Sequence, residues 1–209
     1  MEPTPADAAA GPASSPKAAA RREAAHRIAT LKTADRAQHS GKICKHLFDE
    51  PSVTAARCIM AFAPLADEPD ITPLLTVLIG MGITVTVPEV NWAAGTMRAV
   101  AISSITEDLI TELTHARLAL RSPRPGLRAV PVELIDLVLV PGRAFDASGR
   151  RLGRGKGFYD RFLPALGSNV ATIGVCFSVQ MIERVPTDEH DRPVGAVVTE
   201  LGLIAAQSA

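Results

Sequence analysis

The stretch Leu137-Val-Leu-Val-Pro-Gly-Arg-Ala-Phe-Asp-Ala-Ser-Gly-Arg-Arg-Leu-Gly-Arg-Gly-Lys-Gly-Phe-Tyr-Asp160 joins a strand pattern to a helix pattern through a glycine-rich loop. The apolar run from Ile135 to Val140, which leads into this stretch, is typical of a buried strand, and a helical pattern begins near Tyr159. A strand, a glycine-rich loop and a helix together present backbone N–H groups to an anion. Positions 143 to 161 contain six Arg or Lys residues and only two Asp residues, so this stretch predicts a polyphosphate site.

The glycine spacing excludes two familiar nucleotide loops. Lys156 is followed by Gly157 and not by Ser or Thr, so this is not a Walker A loop. The G-x-G-x-G pattern and the long loop after the strand also differ from a dinucleotide fingerprint. A solvated surface loop is the plain alternative, but the adjoining strand and helix favour a functional loop. Asp160 at the helix start suits the helix dipole, and beside a polyphosphate it could also hold Mg²⁺.

Composition limits the classes of protein to which the chain could belong. Its 209 residues carry a formal net charge of zero, and 47% of them are apolar. We therefore expect one globular α/β domain over residues 17–209, with no nucleic-acid partner and no membrane partner. Residues 1–16 are rich in Ala, Pro and Ser and are predicted to be a disordered extension. The three cysteines have no C-x-x-C spacing, which favours a reducing, cytoplasmic location. We also expect a monomer.

The order of predicted elements indicates a mostly parallel sheet flanked by helices. A strand, a helix opened by Thr72-Pro73 and a second strand closed by Pro88 form a βαβ unit, whose crossover implies parallel strands. Ser104 and Glu107 match a capping box and predict a short helix. The predicted helices are 18–31, 34–48 (capped by Thr33 and stopped by Pro51), 74–79 and 104–113; the predicted strands are 57–63, 83–87, 97–102, 135–140, 170–177 and 196–199; and 121–126 is predicted to be a loop.

Several turns follow predicted strands and should meet at one edge of the sheet. Ligands collect at the carboxyl ends of parallel strands, so this edge would bring the basic loop close to two acidic segments. Glu68 lies in the first segment and Asp191 in the second, although from spacing alone each is more simply a solvated turn residue. The five histidines, His26, His39, His46, His115 and His190, lack metal-ligand spacing.

Two segments carry a family resemblance. Val140-Pro-Gly-Arg-Ala-Phe-Asp146 and Gly149-Arg-Arg-Leu-Gly-Arg-Gly-Lys-Gly-Phe-Tyr-Asp160 closely resemble the signature of the 5-formyltetrahydrofolate cyclo-ligase family. Further agreement follows in chain order at Lys17 with Arg21, Phe62 to Glu68, Thr72 to Leu75, Val87-Pro88, Pro186 to Asp191 and Val198 to Glu200. The resemblance covers roughly residues 17–200. It departs at 118–125, where the family's tryptophan is missing and Arg124 replaces an acid.

The resemblance implies a three-layer fold related to the sugar-phosphate isomerase and CoA-transferase group. It implies ATP- and Mg²⁺-dependent conversion of 5-formyltetrahydrofolate to 5,10-methenyltetrahydrofolate, with release of ADP and phosphate. Carried over by position, the ATP-binding residues would be Lys17, Arg21, Arg151, Leu152, Gly153, Arg154, Gly155, Lys156, Gly157, Phe158 and Tyr159. The folate-binding residues would be Arg21, Ala63, Glu68, Arg154, Gly155, Lys156, Gly157 and Phe158. Arg154 and Lys156 would be catalytic, and Asp160 and Asp191 would serve Mg²⁺.

Two other functions stay open from the residues alone. One is an ATP-dependent enzyme on the same scaffold that acts on a different formyl or amide substrate. The other is a non-catalytic relative that binds nucleotide or RNA through the basic loop. Zero net charge and few aromatic residues for base stacking disfavour the RNA-binding relative.

Overall fold

The structure is a computed structural model that describes residues 15–113, 119–189 and 191–207. In this part of the chain, eight strands form one central sheet. The helices are α1 (Pro16–Thr30), α2 (Thr33–Asp49), α3 (Pro51–Thr54), α4 (Thr72–Gly80) and α5 (Phe158–Phe162). The strands are β1 (Cys58–Met60), β2 (Thr84–Asn91), β3 (Thr96–Ile102), β4 (Leu109–Leu113), β5 (Ala119–Pro123), β6 (Ala129–Val130), β7 (Leu137–Pro141), β8 (Ala144–Phe145), β9 (Arg151–Leu152), β10 (Ala171–Val175), β11 (Ala196–Thr199) and β12 (Gly202–Ala205).

The central sheet is mostly parallel, as predicted. Its strand order is β12-β11-β10-β7-β1-β2-β3-β6, and the five strands from β11 to β2 run parallel to one another. Strand β7, which leads into the glycine-rich loop, lies near the centre between β10 and β1. The predicted βαβ unit is β1-α4-β2, and its two strands are parallel. The carboxyl ends of five strands therefore meet at one edge.

Helices cover both faces of this sheet, which gives three layers. Successive residues of a strand point to opposite faces, and the two sets pack into different clusters. Ile59 and Leu137 pack with residues of α2 and α4, such as Leu47 and Leu75. The neighbouring residues pack on the other face against α5 and its continuation; this second set includes Met60, Val138, Val140, Phe162 and Leu163. Both faces are apolar because both are buried.

The prediction that Pro88 closes its strand is wrong. Strand β2 continues to Asn91 and pairs with β3 in antiparallel register, with Pro88 opposite Ala99. Its strand pairing with β1 ends at Thr86, so beyond that residue β2 has a paired strand on one side only. A proline is tolerated there because one side of the strand needs no N–H donor. The sheet therefore extends past the parallel core as a long β2–β3 hairpin.

The helix predicted over 104–113 is also wrong. The Ser104 hydroxyl does accept a hydrogen bond from the Glu107 N–H at 3.2 Å, which is half of a capping box. The chain makes only a turn there, because buried Asp108 accepts the N–H groups of Ser103 and Ser104. Strands β4 and β5 then form a separate two-stranded sheet, so β5 occupies part of the predicted 121–126 loop.

Smaller corrections concern element ends. The caps of α2 and α4 are Lys32 and Ile71, one residue before the predicted Thr33 and Thr72. Pro51 does not simply stop a helix, since it begins α3. Residue 16 belongs to α1 and not to a disordered extension. Residues 1–14, His115 and His190 lie outside the described part of the chain. Strand β12 was not predicted. None of the described helices is long and apolar enough to cross a membrane.

Candidate active site

The glycine-rich loop begins as a small hairpin and ends at α5. Strands β8 and β9 pair with each other, and residues 153–157 then lead into the helix. Buried Asp146 organises the hairpin, because its carboxylate accepts the N–H groups of Ser148 at 3.0 Å, Arg150 at 3.1 Å and Val185 at 2.9 Å. The loop is therefore held from within and is also tied to the segment that follows β10.

Gln180 fixes the turn at the start of the loop. Its side chain is fully buried, and its Nε2 donates to the carbonyl oxygens of Gly142 at 2.8 Å and Arg143 at 3.1 Å. Its Oε1 accepts the Phe177 N–H at 2.9 Å. Gln180 thus connects the carboxyl ends of β7 and β10, the two strands whose ends frame the loop. Gln180 was not predicted from the sequence, since a single glutamine after a strand has no local signature.

The acidic turn after β1 meets the basic loop directly. The Arg154 guanidinium donates to Glu68 Oε1 at 3.1 Å and 2.9 Å and also bonds to Asp67. Arg143 pairs with the same Asp67 carboxylate. Desolvation acts to raise the pKa of Asp67, but the hydrogen bonds and charges of Arg154 and Arg143 lower the pKa below its usual value. The sequence predicted that these segments meet but not their pairing.

Glu68 is the buried member of this cluster. Its side chain is only 6% exposed, and its Oε2 accepts the Leu65 N–H at 3.1 Å. Burial raises the pKa of Glu68 above its usual value, although Arg154 opposes that shift. Glu68 is thus a desolvated carboxylate held by one guanidinium and one backbone N–H, which is the kind of group that sites use for proton transfer or for selective hydrogen bonding.

Arg151 lies beneath the loop and joins β7 to α5. Its guanidinium donates to the Pro141 carbonyl oxygen at 3.3 Å, pairs with Asp160 and lies 5.3 Å from the Tyr159 ring centroid. Both Arg151 Nε and the Tyr159 hydroxyl are buried without a hydrogen-bond partner among the described residues. Burial also raises the pKa of Tyr159. Two polar atoms at the start of α5 therefore have unused hydrogen-bonding capacity.

Helix α1 supplies two cations from a single face. Lys17 and Arg21 are four residues apart, so their side chains lie on the same side of the helix. Lys17 Nζ pairs with Asp191 at 2.5 Å and with Asp188 at 2.7 Å, while Arg21 Nε donates to the Gly153 carbonyl oxygen at 2.9 Å. Helix α1 therefore connects the glycine-rich loop to the late acidic segment.

Two loop glycines have backbone angles that favour glycine. Gly155 and Gly157 have φ values of +93° and +69°, in the left-handed region. A Cβ on Gly157 would also lie 2.7 Å from a guanidinium nitrogen of Arg161. Lys156 between them is exposed, and its side chain makes no hydrogen bond or ion pair with the described residues. The loop thus presents the Lys156 ammonium group to solvent.

Other predicted residues differ in how they could contact a ligand. Leu152 is buried in a small cluster with Ala24, Ala144 and Val185, so only its backbone could reach a ligand. Ala63 is buried beyond the end of β1, next to the acidic turn. A cavity of about 130 Å³ lies between the loop and the late acidic segment, lined in part by Arg151 and Asp191.

The two predicted metal ligands both lie near the Arg151 guanidinium. Asp160 pairs with Arg151. Desolvation acts to raise the pKa of Asp191, but the hydrogen bonds from Lys17 and the Asp188 N–H and the charges of Lys17 and Arg151 lower the pKa below its usual value. Asp160 Oδ2 and Asp191 Oδ1 have no hydrogen-bond partner among the described residues. Mg²⁺ commonly takes one or two carboxylates and completes its shell with water and phosphate, so this donor set fits the ion. The described residues contain no cluster of three or more His, Cys, Asp or Glu that could hold a metal alone.

Comparison with known proteins gives a consistent result. A family model described as the 5-formyltetrahydrofolate cyclo-ligase family matches residues 13–200. The 5-formyltetrahydrofolate cyclo-ligase of Mycolicibacterium smegmatis is 33% identical over 154 residues, covering 72% of this chain and 78% of that protein. The Escherichia coli K12 enzyme of the same name is 32% identical, covering 71% and 81%.

A solved structure agrees with these sequence relatives. The NMR structure of Aquifex aeolicus 5,10-methenyltetrahydrofolate synthetase superposes with a TM-score of 0.78 at 28% identity, over 92% of this chain and 94% of that one. The chain therefore belongs to the 5-formyltetrahydrofolate cyclo-ligase family, a family of enzymes.

Proposed function

We propose that this protein catalyses the ATP- and Mg²⁺-dependent conversion of 5-formyltetrahydrofolate to 5,10-methenyltetrahydrofolate, with release of ADP and phosphate. The observation that carries the proposal is the junction of the basic loop with the acidic turn through Arg154, Asp67 and Glu68 in a chain of this family. That junction brings the basic glycine-rich loop next to a buried carboxylate, which supports a site that takes both a phosphate and a polar ring. We also propose that the fold is related to the sugar-phosphate isomerase and CoA-transferase group.

The reaction needs a better leaving group than the formyl oxygen. Attack of that oxygen on the γ-phosphorus of ATP forms a phosphorylated intermediate and releases ADP. Nitrogen 10 then attacks the formyl carbon, phosphate leaves with the oxygen, and the nitrogen 10 proton is lost to solvent or a base. Catalysis of such a phosphoryl transfer consists mainly of positioning and charge stabilisation. A protein nucleophile is therefore unnecessary.

The loop and α1 would bind the triphosphate. Backbone N–H groups of residues 151–159, together with Lys17 and Arg21, are the proposed nucleotide contacts. Lys156 is exposed and has no partner among the described residues, so its charge is available to the transferred phosphoryl group. Arg154 already bridges the loop and the acidic turn, which suits a residue between phosphate and folate. These two cations would stabilise charge that develops in the transition state.

Glu68 and Ala63 would form part of the folate pocket. Glu68 is buried, so a hydrogen-bond donor on the folate ring would offset part of the cost of desolvating its carboxylate. Ala63 lies next to the acidic turn and leaves room because its side chain is small. Asp160 and Asp191 would hold Mg²⁺, whose charge would offset that of the phosphates.

One assay tests the proposal directly. Purified protein with MgATP and 5-formyltetrahydrofolate should yield methenyltetrahydrofolate. The near-ultraviolet absorbance of this product measures the rate. Lys156→Ala should lower kcat by about 100-fold, the order of magnitude seen when one stabilising group of a transition state is removed. Lys42 is exposed on α2 and away from the loop, so Lys42→Ala is the matched control and should keep full activity.

The outcomes separate the candidate functions. Folded protein that forms no product with MgATP would refute the cyclo-ligase activity. ATP hydrolysis stimulated by another formylated or amide compound would instead support a different substrate on the same scaffold. Nucleotide binding without turnover of any such compound would support a non-catalytic relative. Full turnover by Lys156→Ala would leave the cyclo-ligase activity in place but refute the proposed role of the loop lysine.

A further inference from the structure

Trp92, the only tryptophan of the chain, lies beside the glycine-rich loop. It follows β2 at the tip of the β2–β3 hairpin, and its ring meets the Phe158 ring edge-on, with centroids 5.2 Å apart and planes at 89°. In spite of this contact, Trp92 is 50% exposed. An indole that is held by one aromatic contact and half exposed offers a flat apolar surface to a ligand.

Arg161 holds the hairpin tip against the loop. Its Nε donates to the Gly95 carbonyl oxygen at 2.7 Å, and a terminal nitrogen donates to the Lys156 carbonyl oxygen at 2.9 Å. The guanidinium carbon also lies 5.5 Å from the Phe158 ring centroid. One side chain therefore bonds both to the hairpin and to the loop, and it fixes the position of Trp92 relative to Phe158.

The hairpin itself has cross-strand support. Glu89 and Arg98 are directly opposite in the register and form an ion pair at 2.5 Å. Asn91 Oδ1 accepts the Ala94 N–H at 3.0 Å and so closes the turn that carries Trp92. These contacts belong to the hairpin alone and do not explain why a tryptophan stands at its tip.

The loop has two ends with different chemistry. Its first part faces α1, where Arg21 bonds to Gly153 and lies against Gly155. Lys17 and Asp191 belong to that end, which is suited to phosphate and metal. The later part, at Phe158, faces the hairpin and its aromatic surface. A ligand with a flat ring and no phosphate would thus be favoured at the hairpin end.

We propose that Trp92 and Phe158 form one wall of the substrate pocket and that Trp92 packs against the conjugated rings of the folate. Trp92 is then a specificity-determining residue that the family resemblance does not assign. The inference rests on the proposed function, since it needs a folate substrate. The adenine base of ATP is also a flat ring, so the experiment has to distinguish the two ligands.

The single tryptophan makes binding directly observable. Its fluorescence is followed during titration with 5-formyltetrahydrofolate. Excitation is at the red edge of indole absorption, and the signal is corrected for absorption by the ligand. The titration is done alone and in the presence of Mg²⁺ and a non-hydrolysable ATP analogue. We expect saturable quenching by the folate in at least one of these titrations and little change with the nucleotide alone. A change with the nucleotide alone and none on adding folate would overturn the inference.

Three variants provide a second measurement. Trp92→Ala should raise KM for the folate by roughly tenfold with little change in KM for ATP, because stacking on an aromatic side chain is worth about 1–3 kcal/mol per ring. Trp92→Phe should recover most of the loss. Leu134→Ala, at a site of similar exposure (55%) before β7, is the control and should behave as wild type. Thermal unfolding of each variant shows whether the hairpin change affects folding.

The outcomes also separate this inference from the function on which it rests. If the wild type turns over but Trp92→Ala keeps its folate KM, the inference fails and the proposed function stands. If Trp92→Ala raises both KM values equally, or lowers only kcat, Trp92 has a general structural role and the inference again fails. If the wild type neither binds nor converts the folate, both fail together.

Discussion

Replacing Gln180 with alanine tests whether the glycine-rich loop depends on the strand ends beneath it. The change removes hydrogen bonds to three backbone groups, the Gly142 and Arg143 carbonyls and the Phe177 N–H, at a fully buried position. Each buried polar group left without a partner costs about 1–3 kcal/mol, and water entering the vacated space offsets part of that cost. We expect a loss of about 3 kcal/mol in the free energy of unfolding.

A loss of this size should leave the variant folded in the absence of denaturant, because domains are typically stable by about 5–15 kcal/mol. With a urea m value of about 3 kcal/mol per M, the unfolding midpoint should fall by about 1 M at constant m. Gln38→Ala, at an exposed position on α2, is the matched control and should leave the midpoint almost unchanged. Equal midpoints for the two variants would refute the role assigned to Gln180.

Three further substitutions follow from the geometry. Gly157→Ala should lower activity and stability, because the residue has φ +69° and a Cβ would lie 2.7 Å from Arg161. Gly41→Ala, inside α2 with open space around the residue, should instead stabilise the protein by up to about 1 kcal/mol. Unfolding midpoints and turnover rates of the two variants check both expectations. Asp136→Asn should destabilise the protein at neutral pH. Hydrogen bonds to Arg57 hold the pKa of Asp136 below its usual value, so its contribution is present above about pH 4 and is lost as the pH falls toward the lowered pKa. Wild type and Asp136→Asn should therefore converge in acid; a constant difference from pH 7 to pH 2 would contradict this explanation.

The parts of the fold that could be predicted are those with a local signal. The apolar run into β7, the glycine-rich loop and the βαβ unit around α4 each lie within a short segment whose pattern has one favoured structure. The 104–113 region failed because a Ser-x-x-Glu pattern also occurs in a turn, and tertiary contacts decided between the two. Those contacts include Arg124, the residue that follows β5, whose Nε donates a hydrogen bond to Asp108 at 3.1 Å.

The site was predicted as a set of residues but not as a network. Spacing and family resemblance both pointed to the loop, yet neither could show that Arg154 bonds to Glu68 across 86 positions of sequence. Gln180 reaches carbonyl groups 38 and 37 positions earlier, through a contact that any buried polar residue could make. Such pairings depend on which strand ends become neighbours in the sheet, and that order is set by the whole fold.

The network changes how the basic character of the loop should be understood. From sequence, six cations suggest a strong local positive field, but in the structure Arg143 and Arg154 are paired with the acidic turn and Arg151 with Asp160. An incoming triphosphate would compete with carboxylates for these guanidinium groups, and each exchange would release a carboxylate. Exchange at Arg151 would release Asp160, and exchange at Lys17 would release Asp191; these are the two carboxylates proposed for Mg²⁺. Lys156 is exposed and without a partner among the described residues, so it can contact phosphate without giving up a carboxylate. At the paired cations, by contrast, metal and nucleotide binding should reinforce each other.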